Sequence, residues 1–139
     1  MTKIKFDVNL IKTISLFETI TRAHAKDCIE QDNRLIFIVA RGEMSKAIGP
    51  KGKNVKRLED MFKKKLKIIE FSEDLIEFVN NVVAPIKPAG VVEEEGIVTI
   101  TPEDTQSRGL LIGRNAVNLR GFEDIIKRFF SQVKELKVV

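Results

Sequence analysis

The chain repeats itself at an interval of 64 residues. Residues 49–64 overlay residues 113–128, and five of these sixteen pairs are identical. The identical pairs are Gly49/Gly113, Asn54/Asn118, Glu59/Glu123, Asp60/Asp124 and Lys63/Lys127. The helices and strands predicted around this segment also recur in the same order. We therefore expect two copies of one module, over residues 1–72 and residues 73–139.

The spacing of apolar residues predicts the same elements in both copies. Apolar positions three and four apart indicate helices, whereas short apolar runs bounded by turn residues indicate strands. In the first copy this predicts helices over 9–21, 43–48 and 53–64 and strands over 25–31, 34–41 and 66–71. In the second copy it predicts helices over 74–84, within 102–112 and over 117–130, and strands over 91–94, 97–101 and 134–139. The chain is therefore expected to belong to the α/β (α+β) class.

A short loop separates the second and third predicted helices of the first copy. It reads Gly49-Pro50-Lys51-Gly52, and glycine lets another chain approach the backbone closely because it has no Cβ atom. The helix that follows begins with free N–H groups and a positive dipole end, which together suit a phosphate. Proline stiffens the loop and so lowers the entropy lost on binding. The loop is therefore a candidate phosphate-binding loop.

Positive charge is concentrated around this loop. The whole chain has a net charge of +4, but residues 1–72 carry +7 and residues 73–139 carry −3. Residues 41–67 alone carry +7. A concentrated basic patch is typical of proteins that bind a polyanion, and nucleic acid is the polyanion that we expect.

The corresponding loop of the second copy reads Gly113-Arg114-Asn115-Ala116, so alanine replaces the last glycine. If this position needs a positive φ, alanine adds strain of about 1 kcal/mol or more. If it is an ordinary helix start, alanine fits, although its methyl group can still crowd a phosphate. The second loop is therefore expected to bind weakly or with altered geometry. Asn54 and Asn118 are expected either to bond the backbone at the helix start or to contact nucleic acid.

The order of elements around a Gly-x-x-Gly loop resembles a type II KH domain, here in tandem. Residues 46–55, 66–81 and 103–114 resemble the archaeal NusA family in particular, and the second stretch crosses the boundary between the modules. The resemblance implies two type II KH domains, each a three-stranded mixed sheet packed against three helices. It further implies single-stranded RNA binding in transcription elongation, pausing or termination, with the RNA backbone clamped at the Gly-x-x-Gly loop.

The resemblance and the charge pattern together give the candidate RNA-binding residues. In the first module these are Arg41, Lys46, Ile48, Gly49, Pro50, Lys51, Gly52, Lys53, Asn54, Lys56 and Arg57. In the second module they are Arg108, Gly113, Arg114, Asn115 and Arg120. Apolar side chains of residues 35–39 are expected to line a groove for the bases. RNA polymerase and other transcription proteins are further candidate partners. The alternative is a KH-based protein-interaction, RNA-processing or ribosome-associated adaptor in which one module docks a protein.

Other functions find no support in the sequence. His24 and Cys28 are the only histidine and cysteine, so we expect no catalytic site, metal site, cofactor or small-molecule substrate. No apolar run reaches the roughly 18 residues of a membrane-spanning helix, and the N-terminus lacks the apolar segment of a signal peptide. We therefore expect a cytoplasmic protein that is not an enzyme and has no membrane partner.

Three charged clusters are expected to be ordinary surface. Lys63, Lys64 and Lys65 fall at the predicted end of a helix, where cations suit the dipole. They are therefore expected to form a solvated last turn. The adjacent acidic pairs 59–60 and 123–124 are expected to be surface pairs rather than catalytic acids.

Overall fold

A computed structural model describes residues 8–139, with side chains from Leu10 onward. The chain divides into two compact units, with the boundary between Ser72 and Glu73. Each unit has the order helix, strand, strand, helix, helix, strand, and each contains one three-stranded sheet. The predicted α+β class is therefore confirmed. No helix in the described part of the chain is long and apolar enough to cross a membrane.

The first unit is built on a mixed sheet. Its helices are α1 (Val8–Thr21), α2 (Met44–Ile48) and α3 (Lys53–Phe62), and its strands are β1 (Ala25–Gln31), β2 (Arg34–Val39) and β3 (Lys65–Glu70). Strands β1 and β2 are antiparallel, whereas β3 runs parallel to β2. Strand β2 is therefore the central strand of this sheet.

The core of the first unit lies between its sheet and its helices. Phe37 of β2 stacks on Phe17 of α1, with ring centroids 4.1 Å apart. Leu35 and Val39 belong to the same buried cluster and are at most 5% exposed. The expectation that side chains of residues 35–39 line a groove for bases is therefore wrong, because they are buried in the central strand.

The second unit has the same sheet order. Its helices are α4 (Leu75–Val83), α5 (Thr105–Ile112) and α6 (Val117–Phe129), and its strands are β4 (Gly90–Glu94), β5 (Ile97–Thr101) and β6 (Glu135–Val138). Strand β5 pairs antiparallel with β4 and parallel with β6. Phe78 of α4 anchors the core, with its ring centroid 5.5 Å from those of both Phe129 and Phe130.

In both units a glutamate connects the last helix to the strand that follows it. The Leu66 N–H donates to Glu59 Oε2 at 2.9 Å, and the Leu136 N–H donates to Glu123 Oε2 at 2.9 Å. A hydrogen bond to a carboxylate is stronger than one to a neutral acceptor. These glutamates therefore have a structural role that the expectation of surface pairs missed.

The lysine run at residues 63–65 does not form one helical turn. Helix α3 ends at Phe62, two residues earlier than predicted, because Lys63 takes the left-handed conformation with φ of 57°. Lys64 forms an ion pair with Glu30 of β1, and Lys65 is the first residue of β3. The expectation of one solvated helical turn is therefore wrong, although Lys63 and Lys65 are exposed.

Candidate nucleic-acid interface

The loop between α2 and α3 is a single tight turn with three residues at positive φ. Gly49 has φ of 77° and ψ of 169°, Lys51 has φ of 54°, and Gly52 has φ of 73°. The Gly52 N–H donates to Gly49 O at 3.1 Å and closes the turn. Glycine adopts such angles without steric cost, whereas lysine has to be held in them.

The two glycines of this loop are required for different reasons. A Cβ atom on Gly49 would lie 2.8 Å from Asn54 Nδ2 and 2.9 Å from Asn54 Cγ. A Cβ atom on Gly52 would have no heavy atom within 4 Å. Gly49 therefore leaves room for a side chain of the same unit, and Gly52 is the glycine with open space through which another chain can approach.

Both asparagines of the repeat bond the backbone at the preceding helix. Asn54 Nδ2 donates to Lys46 O at 3.1 Å, and Asn118 Nδ2 donates to Leu110 O at 2.8 Å. The structure therefore shows a bond to the backbone, but its acceptor lies in the last turn of the preceding helix rather than at the start of the helix that holds the asparagine.

The cations around the first loop are all exposed, and one of them, Lys46, forms an ion pair with an acidic neighbour. Lys51 is exposed at the tip, and Lys53, Lys56 and Arg57 are exposed on one face of α3, because residues three and four apart are neighbours on a helix. Pro50 is exposed between the two helices. Exposed cations therefore extend from the loop onto α3.

Lys46 is also exposed, but an acidic neighbour holds it. Lys46 Nζ lies 3.0 Å from Glu43 Oε2, and Glu43 Oε1 accepts a hydrogen bond from the His24 N–H at 2.9 Å. The His24 N–H, and after it Lys46, hold the pKa of the Glu43 carboxyl below its usual value. Lys46 therefore contributes less positive field at the loop than its charge alone predicts.

The remaining candidates of the first unit lie at the margins of the loop. Ile48, directly before the loop, is half-buried and packs against the core. Arg41 is exposed in the turn before α2. The loop follows the other end of that helix, so the five residues of α2 separate it from the turn that holds Arg41.

The second loop has the same backbone conformation as the first. Gly113 has φ of 75° and ψ of 176°, Asn115 has φ of 54°, and Ala116 has φ of 60°. The Ala116 N–H donates to Gly113 O at 3.2 Å. Of the two alternatives for the last position, a positive φ is therefore correct, and Ala116 carries strain of about 1 kcal/mol.

The surroundings of the second loop differ from those of the first. Leu110 and Val117 occupy the positions of Lys46 and Lys53 and are 52% and 44% exposed. Arg108, Arg114 and Arg120 are exposed nearby. The 64-residue repeat already pairs these two apolar residues with lysines, but only the structure makes their exposure visible.

Comparison with known proteins identifies the family of this chain. A family model described as "KH domain" matches residues 12–89, more than half of the chain. A protein of Methanococcus vannielii named "Probable transcription termination protein NusA" is 38% identical over 99% of this chain and 80% of its own length. The chain belongs to the archaeal NusA-like family of KH-domain proteins. A protein of the same name from Methanocaldococcus jannaschii is 34% identical to this NusA-like chain, over all of it and 77% of its own length.

A solved structure also resembles this NusA-like protein. The crystal structure of APE1850 matches it with a TM-score of 0.76 and 29% identity, covering 96% of this chain and 100% of that chain. The likeness therefore extends over both units of the NusA-like protein.

Proposed function

We propose that this protein is a non-enzymatic RNA-binding protein that clamps the backbone of single-stranded RNA at residues 49–52. The observation that carries the proposal is the positive-φ loop beside the exposed cations of α3, in a member of a KH-domain family. In KH domains the Gly-x-x-Gly loop clamps a short stretch of nucleic-acid backbone. Residues 1–72 and 73–139 are then two tandem type II KH domains.

Each part of the first loop has a role in this clamp. The open space at Gly52 admits the RNA backbone, and the N–H groups at the start of α3 face its phosphates. Lys51 and Lys53 contact phosphates as mobile point charges, while Lys56 and Arg57 extend the positive field along α3. Affinity then falls steeply as salt rises.

The process served is transcription. Relatives that match nearly the whole chain carry the name "Probable transcription termination protein NusA". By this likeness the protein acts on nascent RNA in elongation, pausing or termination in the cytoplasm, with RNA polymerase or another transcription protein as a further partner.

The test replaces Gly52 by aspartate, which puts a negative charge into the open side of the loop. Gly52→Asp is expected to weaken binding of a fluorescein-labelled single-stranded RNA at least about tenfold, measured by fluorescence anisotropy. The control is Gly90→Asp, which adds the same group in open space on β4 of the second unit. Circular dichroism checks that both variants keep the fold. Equal affinity of Gly52→Asp and the unchanged protein would refute the clamp.

A second candidate function is protein docking by the second unit. The exposed side chains of Leu110 and Val117 beside its loop favour it, because they replace lysines that suit phosphate. Replacing both by serine is then expected to weaken binding to purified RNA polymerase while RNA affinity is retained. Loss of RNA affinity instead would assign these side chains to the RNA surface.

A further inference from the structure

The asparagine five residues after each loop's first glycine donates a hydrogen bond to a carbonyl at the end of the preceding helix. Helix α2 ends beside Pro50, which has no N–H, so the Lys46 carbonyl lacks the partner four residues on that an α-helix normally provides. Asn54 Nδ2 supplies that partner from the first turn of α3, at 3.1 Å. The bond therefore joins the last turn of one helix to the first turn of the next, across the loop.

The asparagine also packs against the loop's first glycine. The Asn54 amide occupies the space where a Cβ atom on Gly49 would lie, 2.8 Å from Nδ2. Glycine at this position is thus matched to asparagine five residues later. The pair fixes the loop from its inner side and leaves the outer side at Gly52 open.

The second unit repeats this arrangement independently. Asn118 Nδ2 donates to Leu110 O at 2.8 Å, and a Cβ atom on Gly113 would lie 2.8 Å from that same nitrogen. Here the loop has no proline and ends in Ala116, yet its backbone angles match those of the first loop. The shared conformation therefore accompanies the glycine–asparagine pair rather than the other loop residues.

We propose that Asn54 and Asn118 are positioning residues that hold the RNA-binding loops in their bound conformation before RNA arrives. The inference rests on the proposed function, because it concerns how the same loops bind RNA. The first loop contains three residues at positive φ, one of them Lys51. Without the asparagine bond this segment also populates other conformations. RNA binding then has to order the loop, and the entropy lost in doing so lowers the affinity. Affinity therefore depends on a side chain that need not touch RNA.

The test compares two variants that lose the same kind of bond. Asn54→Ala removes the bond at the loop, whereas Asn80→Ala removes an asparagine amide bond of 2.9 Å to Ile76 O within α4. Asn54→Ala is expected to weaken binding of the labelled RNA about five- to tenfold. The slope of affinity against salt stays unchanged, because no charge is removed. Asn80→Ala is expected to leave RNA affinity unchanged.

Hydrogen exchange of the free protein separates positioning from direct RNA contact. Asn54→Ala is expected to accelerate exchange of the amides of residues 49 and 51–53 without RNA, with the β-strand amides unaffected. Asn118→Ala should do the same at residues 113–117, and it provides a second variant if Asn54→Ala fails to fold. Weaker RNA binding without faster exchange would make Asn54 a direct contact and overturn the inference.

The same experiments distinguish failure of the inference from failure of the proposed function. If Asn54→Ala binds RNA as well as the unchanged protein while Gly52→Asp does not, the inference is wrong and the clamp stands. If Gly52→Asp also binds normally, the clamp itself is wrong, and with it the role in RNA binding that we assign to the asparagines.

Discussion

The loops at 49–52 and 113–116 share a backbone and differ in their side chains. Their φ values are 77° and 75° at the first residue, 54° and 54° at the third, and 73° and 60° at the fourth. Beside the first loop stand Lys51, Lys53, Lys56 and Arg57, whereas the corresponding residues of the second unit are Asn115, Val117, Arg120 and Gly121. The comparison teaches that the shape of the loop and its charge vary independently.

The largest expected effect is a loss of stability on substitution of Gly49, which substitution of Gly52 does not share. Gly49→Ala is expected to lower the free energy of unfolding by about 2–3 kcal/mol, because its Cβ meets Asn54 and its φ and ψ are readily adopted only by glycine. Gly52→Ala is expected to cost only about 0.5 kcal/mol, because left-handed strain of about 1 kcal/mol is partly offset by the lower freedom of alanine in the unfolded chain. Urea unfolding followed by circular dichroism measures both, since the chain has no Trp or Tyr for fluorescence. Equal losses would show that the glycines are not specialised.

The second largest effect is the loss of RNA affinity when positive charge is removed from the first loop. Replacing Lys51 and Lys53 together by alanine is expected to weaken RNA binding about tenfold and to reduce the salt slope by about 1.4, as for two phosphate contacts to a single strand. Replacing Arg114 and Arg120 together removes the same charge from the second loop and is expected to have a smaller effect. Anisotropy titrations at several salt concentrations give both quantities. The reverse order would make the second loop the principal site.

The smallest effect tests whether Ala116 itself weakens the second loop. Ala116→Gly is expected to raise the free energy of unfolding by about 0.5 kcal/mol, because relief of left-handed strain is partly offset by the greater freedom of glycine in the unfolded chain. RNA affinity is expected to change less than about twofold, since the substitution leaves the charge around the second loop unchanged. A large gain in affinity would instead identify the alanine as the cause.

The sequence predicted the elements well, because apolar spacing and turn residues act locally. The strand over residues 25–31 has the predicted limits, and the turn at residues 32–33 is present. The end of α3 was misplaced because a left-handed lysine at residue 63 has no distinctive sequence signal. The burial of Leu35 and Val39 depends on β2 being the central strand, which follows from pairing with β3 much later in the chain.

The candidate site was predicted less completely than the fold. The repeat and the charge pattern identified both loops from local residues. The reason for glycine at residue 49 was not predictable in this way, because it depends on where the Asn54 side chain folds back. The conformation of Ala116 was also undetermined, since alanine is acceptable both at a helix start and, with strain, at positive φ.

The asparagine that follows each loop has a consequence for recognising such loops in other chains. A pattern that requires glycine at both ends of the tetrapeptide passes over residues 113–116, although their backbone matches that of the complete motif. A pattern of glycine followed five residues later by asparagine, across a helix–turn–helix junction, finds both loops of this protein. Homologous chains that have lost the last glycine but kept this asparagine are therefore expected to retain the loop conformation.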